Sequence, residues 1–191
     1  MVADTLVRNC SLSTAAGQTA SGMAVAITDG TITSIGREDT IVGAEREIDA
    51  EGGVVVPGIV DEHIHNRTPG LSRKENWYTS TCAAAAGGAT TVIGMPNTNP
   101  EIDSVDALEH KYELGRTNAI VDFQSFAAVT PDNLDDLRAL HEHGAVGFQT
   151  SLSGATPTDG DLVAAMRRIS EFGKRIGFHA ENGEIVDYYR N

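Results

Sequence analysis

Two histidines one residue apart, His63 and His65, close the run Pro57-Gly58-Ile59-Val60-Asp61-Glu62. On a strand, residues i and i+2 project from the same face, so this spacing sets two imidazoles side by side. Neutral imidazole is a common ligand for zinc and related metals, and two such rings held together can chelate one ion. The plain alternative is two polar residues at a strand end. A third histidine, His179, lies in Ile176-Gly177-Phe178-His179-Ala180-Glu181-Asn182, again just past a short apolar run. A pair on one strand end and a partner on a later one is the arrangement that a metal cup at the mouth of a parallel sheet requires. His110, His141 and His143 fall on helical stretches, the last two beside Gly144, where a cation suits a helix C-terminus. Those three read as structural or surface residues.

The elements that must hold these side chains fall into two patterns. Residues 1–56 read as short strands: Thr5 to Asn9, Met23 to Ile27, an Asp29-Gly30 turn, Thr31 to Gly36, and Ile41 to Ile48. Asp-Gly between two alternating runs is a hairpin signal. From Val54 onward, β-branched runs centre near Ile59, Val92, Val121, Val146 and Ile176, a spacing that matches one βα unit. Helix signals lie between them: Ser72 to Ala86, Ser104 to Leu114 before Gly115, a Thr130-Pro131-Asp132 start running to Gly144, and Thr158 to Phe172 before Gly173. Repeated βα units make a parallel sheet, either doubly wound or closed into a barrel. No dinucleotide fingerprint and no phosphate-binding loop is present. The residues from Pro57 to Asn191 fall well short of the roughly 250 that a closed eight-stranded barrel takes, so a barrel here would be an incomplete one of about five units. Glu184 to Asn191 reads as the opening of another helix.

Composition removes several classes of function. The 191 residues carry 14 Lys+Arg against 27 Asp+Glu, a formal charge of -13, which argues against a nucleic-acid partner. No apolar run reaches the length of a membrane span, and the N-terminus lacks the pattern of a signal peptide. Cys10 and Cys82 form neither a disulfide framework nor a cysteine zinc site, which fits a reducing cytoplasm. Only Lys74, Lys111 and Lys174 are lysines. An acidic, lysine-poor surface is better tolerated when salt screens it, so a halophilic source is one reading and an ordinary acidic protein the other.

The stretch from Val54 to Pro100 resembles the cyclic amidohydrolases, the dihydroorotase, allantoinase and hydantoinase group. The resemblance is carried by Pro57 to His65, Arg67 with Pro69-Gly70, Lys74-Glu75, Ala83 to Thr91, and Met95-Pro96-Asn97-Thr98-Asn99-Pro100. It extends over essentially the whole chain. It implies an α/β fold, an incomplete (β/α)8 TIM-type barrel over residues 57–191 preceded by part of an accessory β domain over residues 1–56. It implies Zn²⁺ as cofactor, with His63 and His65 as first-strand ligands and His179 as the fifth-strand ligand. Arg67 matches the arginine that holds the substrate carboxylate of dihydroorotases, a task suited to a fork of donors. Asn97 matches a substrate-contacting asparagine. Together the two tilt the expectation toward dihydroorotase and pyrimidine biosynthesis. The alternatives are a salt bridge for Arg67 and a turn role for Asn97. Asp61 reads either as support for a histidine or as a turn residue. The implied reaction is metal-assisted hydrolysis of a small cyclic amide or ureide, and the implied assembly a homo-oligomer.

Two features depart from the family's pattern. The fourth strand of allantoinases and hydantoinases carries a lysine whose carbamate bridges two metals. Gln149, in Gly147-Phe148-Gln149-Thr150, stands in that place. A carboxamide has no nucleophilic amine and no charge, so at most one metal is expected. The family's sixth-strand histidine and eighth-strand aspartate, the proton shuttle, would lie beyond Asn191, so no catalytic residue is assigned within the chain. A non-catalytic truncated homologue is therefore the rival reading.

Overall fold

A computed structural model describes residues 2–13, 17–150, 157–181, 185 and 188–189. The chain divides into two compact units, Met1–Pro57 and Gly58–Asn191.

The first unit is a five-stranded sheet. Strands β1 (Ala3–Ser13), β2 (Thr19–Thr28) and β3 (Thr31–Arg37) form an antiparallel meander, and the β2–β3 hairpin turns at Asp29-Gly30, both with positive φ. Strands β4 (Ala44–Asp49) and β5 (Val54–Val55) run parallel to β1. Leu6, Ala24 and Ala26 form a small buried core with Ile41 and Ala44 against it. Arg8 pairs with Asp49 at 3.0 Å and Glu47 at 3.2 Å across the parallel edge.

The second unit alternates strand and helix, as the 30-residue spacing requires. Its order is β6 (Ile59–Ile64), α1 (Trp77–Ala86), β7 (Ala89–Gly94), α2 (Val105–Asn118), β8 (Asp122–Ser125), β9 (Ala127–Val129), α3 (Leu137–Glu142), β10 (Phe148–Thr150), α4 (Asp159–Glu171) and β11 (Ile176–Gly177). All its ladders are parallel: β6–β7–β8, then β9–β10–β11. The third barrel strand is thus split. Phe126 N–H still bonds the Gly94 carbonyl at 3.0 Å, while Ala127 N–H turns to Gly147 at 3.1 Å, so pairing passes from one neighbour to the other within two residues. This is an α/β unit arranged as in a partial (β/α)8 barrel, and the described residues form no closed barrel. Leu108, Leu137, Leu140, Phe148 and Ile169 make the core between helices and sheet. β6 is an edge strand with Ile59 and Val60 more than half exposed.

Three helix boundaries differ from the sequence expectation, each for a local reason. Helix α1 begins at Trp77 and not near Ser72, because Asn76 caps it: its side chain accepts from Thr79 N–H, and the Thr79 hydroxyl accepts from Asn76 N–H. Helix α2 runs through Gly115 to Asn118. There the glycine makes room for a neighbour, since a Cβ at position 115 would collide with the Phe123 ring. The Thr130-Pro131 start does not open a helix. Buried Asn133 accepts from Thr130 N–H and donates to the Asp103 and Ala128 carbonyls at 2.8 Å, which holds a turn until α3 begins at Leu137. Helix α4 begins where expected, capped by Thr158 with Asp161. Of the expected terminal helix, residues 185, 188 and 189 are helical and the rest lies outside the described residues.

Candidate metal centre

His63 ends the exposed part of β6, and His65 follows the strand directly. Their ring centroids are 5.1 Å apart with planes at 67°. The pairing of β6 with β7 shifts register between Asp61 and Ile64, so simple alternation does not hold at the strand's end. The rings are therefore neighbours that border different hollows. His63 lines a cavity of about 320 Å³ together with Met95, Phe126 and Gln149. His65 lines one of about 450 Å³ beside Asp61 and Glu75, against α1.

The imidazole of His65 is fixed by one hydrogen bond. Its Nδ1 lies 2.9 Å from the Asn97 carboxamide oxygen. That oxygen only accepts, so Nδ1 carries the proton and Nε2 keeps its lone pair, the form a metal-ligating histidine needs. Partial burial pushes the imidazolium pKa down against the raising effect of Asn97, and the charges of Arg67, His63 and Lys111 lower it further. Asn97 thus contacts a histidine directly, while the expectation for it was a substrate.

Asn97 is placed by two loops that meet closely. Its own loop starts at Met95, whose N–H bonds the Ile64 carbonyl at 2.8 Å. Asn99 N–H reaches the Pro69 carbonyl at 3.2 Å, and Gly70, at φ +79°, packs so tightly that any Cβ would collide with the Asn99 carbonyl. Arg67, half-buried with φ +58°, lies in the same turn, and no carboxylate among the described residues pairs with it. Asp61 accepts from His63 N–H at 3.2 Å, a turn contact with the backbone.

The later strands present their residues differently. Gln149 is the middle residue of β10, on the opposite face from buried Phe148 and Thr150. His179 lies just past the two-residue β11. Its N–H bonds the Thr150 hydroxyl at 3.2 Å, and its Nε2 lies 3.0 Å from the Glu181 carboxylate in an exposed pair. Among the described residues, no three His, Cys, Asp or Glu side chains gather closely enough to hold a metal ion. The donor set as it stands is a fitting histidine pair without a complete cup. His141 stacks on Phe172 and His143 caps α3, the structural places expected of them.

Sequence reasoning missed Lys111. It lies fully buried on α2 between Leu108 and Tyr112, with Nζ 2.7 Å from the Met95 carbonyl. Its signal was its position on the apolar stripe of that helix, where a lysine has no ordinary place.

The second unit is a parallel α/β half-barrel with histidines at two of its strand ends. Residues 52–188 match the dihydro-orotase-like family, and the chain belongs to it, within the cyclic amidohydrolase superfamily. It is 38% identical over 166 residues to a dihydroorotase of Methanosarcina mazei, covering 84% of this chain and 36% of that protein. It is likewise 38% identical to an allantoinase of Enterococcus faecalis, covering 85% and 38%. The L-hydantoinase (dihydropyrimidinase) structure from Arthrobacter aurescens superposes with a TM-score of 0.90 at 34% identity, covering 98% of this chain and 43% of that one. The chain therefore spans less than half the length of the relatives it matches, and identity does not choose among their three activities. No described helix is long and apolar enough to cross a membrane.

Proposed function

We propose that this chain forms the first-strand side of the active centre of a cyclic-amide hydrolase, with dihydroorotate the favoured substrate and allantoin or hydantoin next. The observation that carries the reading is the His63–His65 pair, with Asn97 holding the second ring so that Nε2 is free to ligate. His63 and His65 would hold one zinc ion, and His179 would join them once released from Glu181. A zinc ion held by these histidines would supply polarisation of a ring carbonyl and activation of water. Arg67, whose guanidinium pairs with no carboxylate among the described residues, would offer it to a substrate carboxylate, which a dihydroorotate ring carries and a bare hydantoin does not. Gln149 shares the cavity of His63 and would face the ion as a neutral carboxamide, so a carbamate-bridged metal pair is not expected.

One observation favours a second reading. Gln149 removes the anionic bridge on which the binuclear members of the family depend, and a non-catalytic homologue would tolerate that loss. Metal analysis separates the two. The purified chain, equilibrated with zinc, should retain about one ion per chain, and Gln149→Lys should raise the content in the presence of bicarbonate. Retention far below that level, unchanged in Gln149→Lys, would defeat the metal-centre reading.

A further inference from the structure

Lys111 is fully buried, and no carboxylate among the described residues pairs with it. Burial pushes its ammonium down to about 7. A lysine nitrogen taken out of water without a counter-ion is costly, and Met or Leu would fill the stripe of α2 more favourably. Among the described residues the nitrogen makes one hydrogen bond, to the Met95 carbonyl at 2.7 Å, and it also lies 5.9 Å from the centre of the Trp77 ring. Protonated or neutral, it keeps an N–H to donate. The approach is built for it: Gly94 leaves the space, since a Cβ there would come within 3.2 Å of Nζ and 3.4 Å of the Trp77 ring.

The Met95 peptide is thereby held on both sides. Its N–H donates to the Ile64 carbonyl, one residue before His65, and its carbonyl accepts from Lys111. Two residues further on, the Asn97 carboxamide accepts the proton on His65 Nδ1. We propose that Lys111 is a positioning residue for His65: by fixing the Met95 peptide from inside the core it aims Asn97 at Nδ1 and so sets the imidazole tautomer that leaves Nε2 free. The significance of that tautomer rests on His65 being a ligand, but the positioning itself is measurable without metal.

The test is long-range ¹H–¹⁵N NMR of the histidine rings in the ¹⁵N-labelled, metal-free chain. The unmodified chain should show His65 as the Nδ1–H tautomer. Lys111→Met, which keeps volume but cannot donate, should move His65 toward the Nε2–H tautomer that neutral free histidine prefers. Asn97→Ala should give the same change, and exposed His110 on α2 should not move in either. Gly94→Ala, which crowds Nζ without removing it, should shift His65 part of the way, and it serves if Lys111→Met does not fold. His65 in the Nε2–H form in the unmodified chain overturns the proposal. So does an unshifted Nδ1–H signal in a folded Lys111→Met chain or, failing that, in Gly94→Ala. Zinc uptake by the same samples reports separately: an Nδ1–H tautomer with no zinc bound would sink the metal reading and leave the positioning role standing.

Discussion

The ends of the first and fifth strands of the half-barrel each present histidine, yet they differ in what holds the ring. At the first, His65 Nδ1 is taken by Asn97, whose loop is braced by Gly70 from the surface and by Lys111 from the core. At the fifth, β11 is two residues long, and His179 gives Nε2 to Glu181 in a pair open to solvent. A histidine becomes a ready ligand when its other nitrogen is engaged and its backbone is over-determined. The first end meets that condition and the second does not.

The largest expected contrast comes from removing each ring. His65→Ala should abolish zinc retention by the chain, whereas His179→Ala should cost only a few-fold, as read by titration with a chromophoric chelator. Equal losses would erase the distinction. Next in size is the pH dependence of the buried amine. Lys111 is lowered from its ordinary 10.5 to about 7 in the folded chain, so between those values the unfolded chain binds the extra proton and stability rises with pH. Below about 7 this contribution is flat. Denaturant unfolding of Lys111→Met should lack that slope, and an unchanged slope would show that the amine is not buried as described. Gly70→Ala, with a left-handed φ and a backbone collision, should destabilise the chain by about 2 kcal/mol, seen as a lower Tm, and should weaken zinc binding through Asn97. Smallest is Glu181→Gln. It should free His179 and raise zinc affinity by a factor of about two to five, the scale of an exposed ion pair.

What the sequence shows of this molecule divides along the same line. The βα rhythm, the Asp29-Gly30 hairpin and the Thr158 cap are local, and each is legible because neighbours along the chain decide it. The starts of α1 and α3 were displaced by Asn76 and Asn133, whose side chains capture backbone groups; the effect of Asn133 depends on Asp103, thirty residues away. Gly115 reads as a helix stop until Phe123 is seen to occupy its missing side chain. In the site, the spacing of His63 and His65 gives their adjacency. It does not give the register shift near the end of β6, nor the partner at Nδ1. The contact of Asn97 with His65 is not legible either, because a contact between two strand-end loops leaves no periodic trace.

The most direct test is zinc K-edge X-ray absorption on the chain loaded with substoichiometric zinc. The fine structure should show imidazole scattering from His63 and His65, lost in His65→Ala, with no zinc–zinc vector. A spectrum of oxygen donors alone, or a metal–metal vector despite Gln149, would contradict the account.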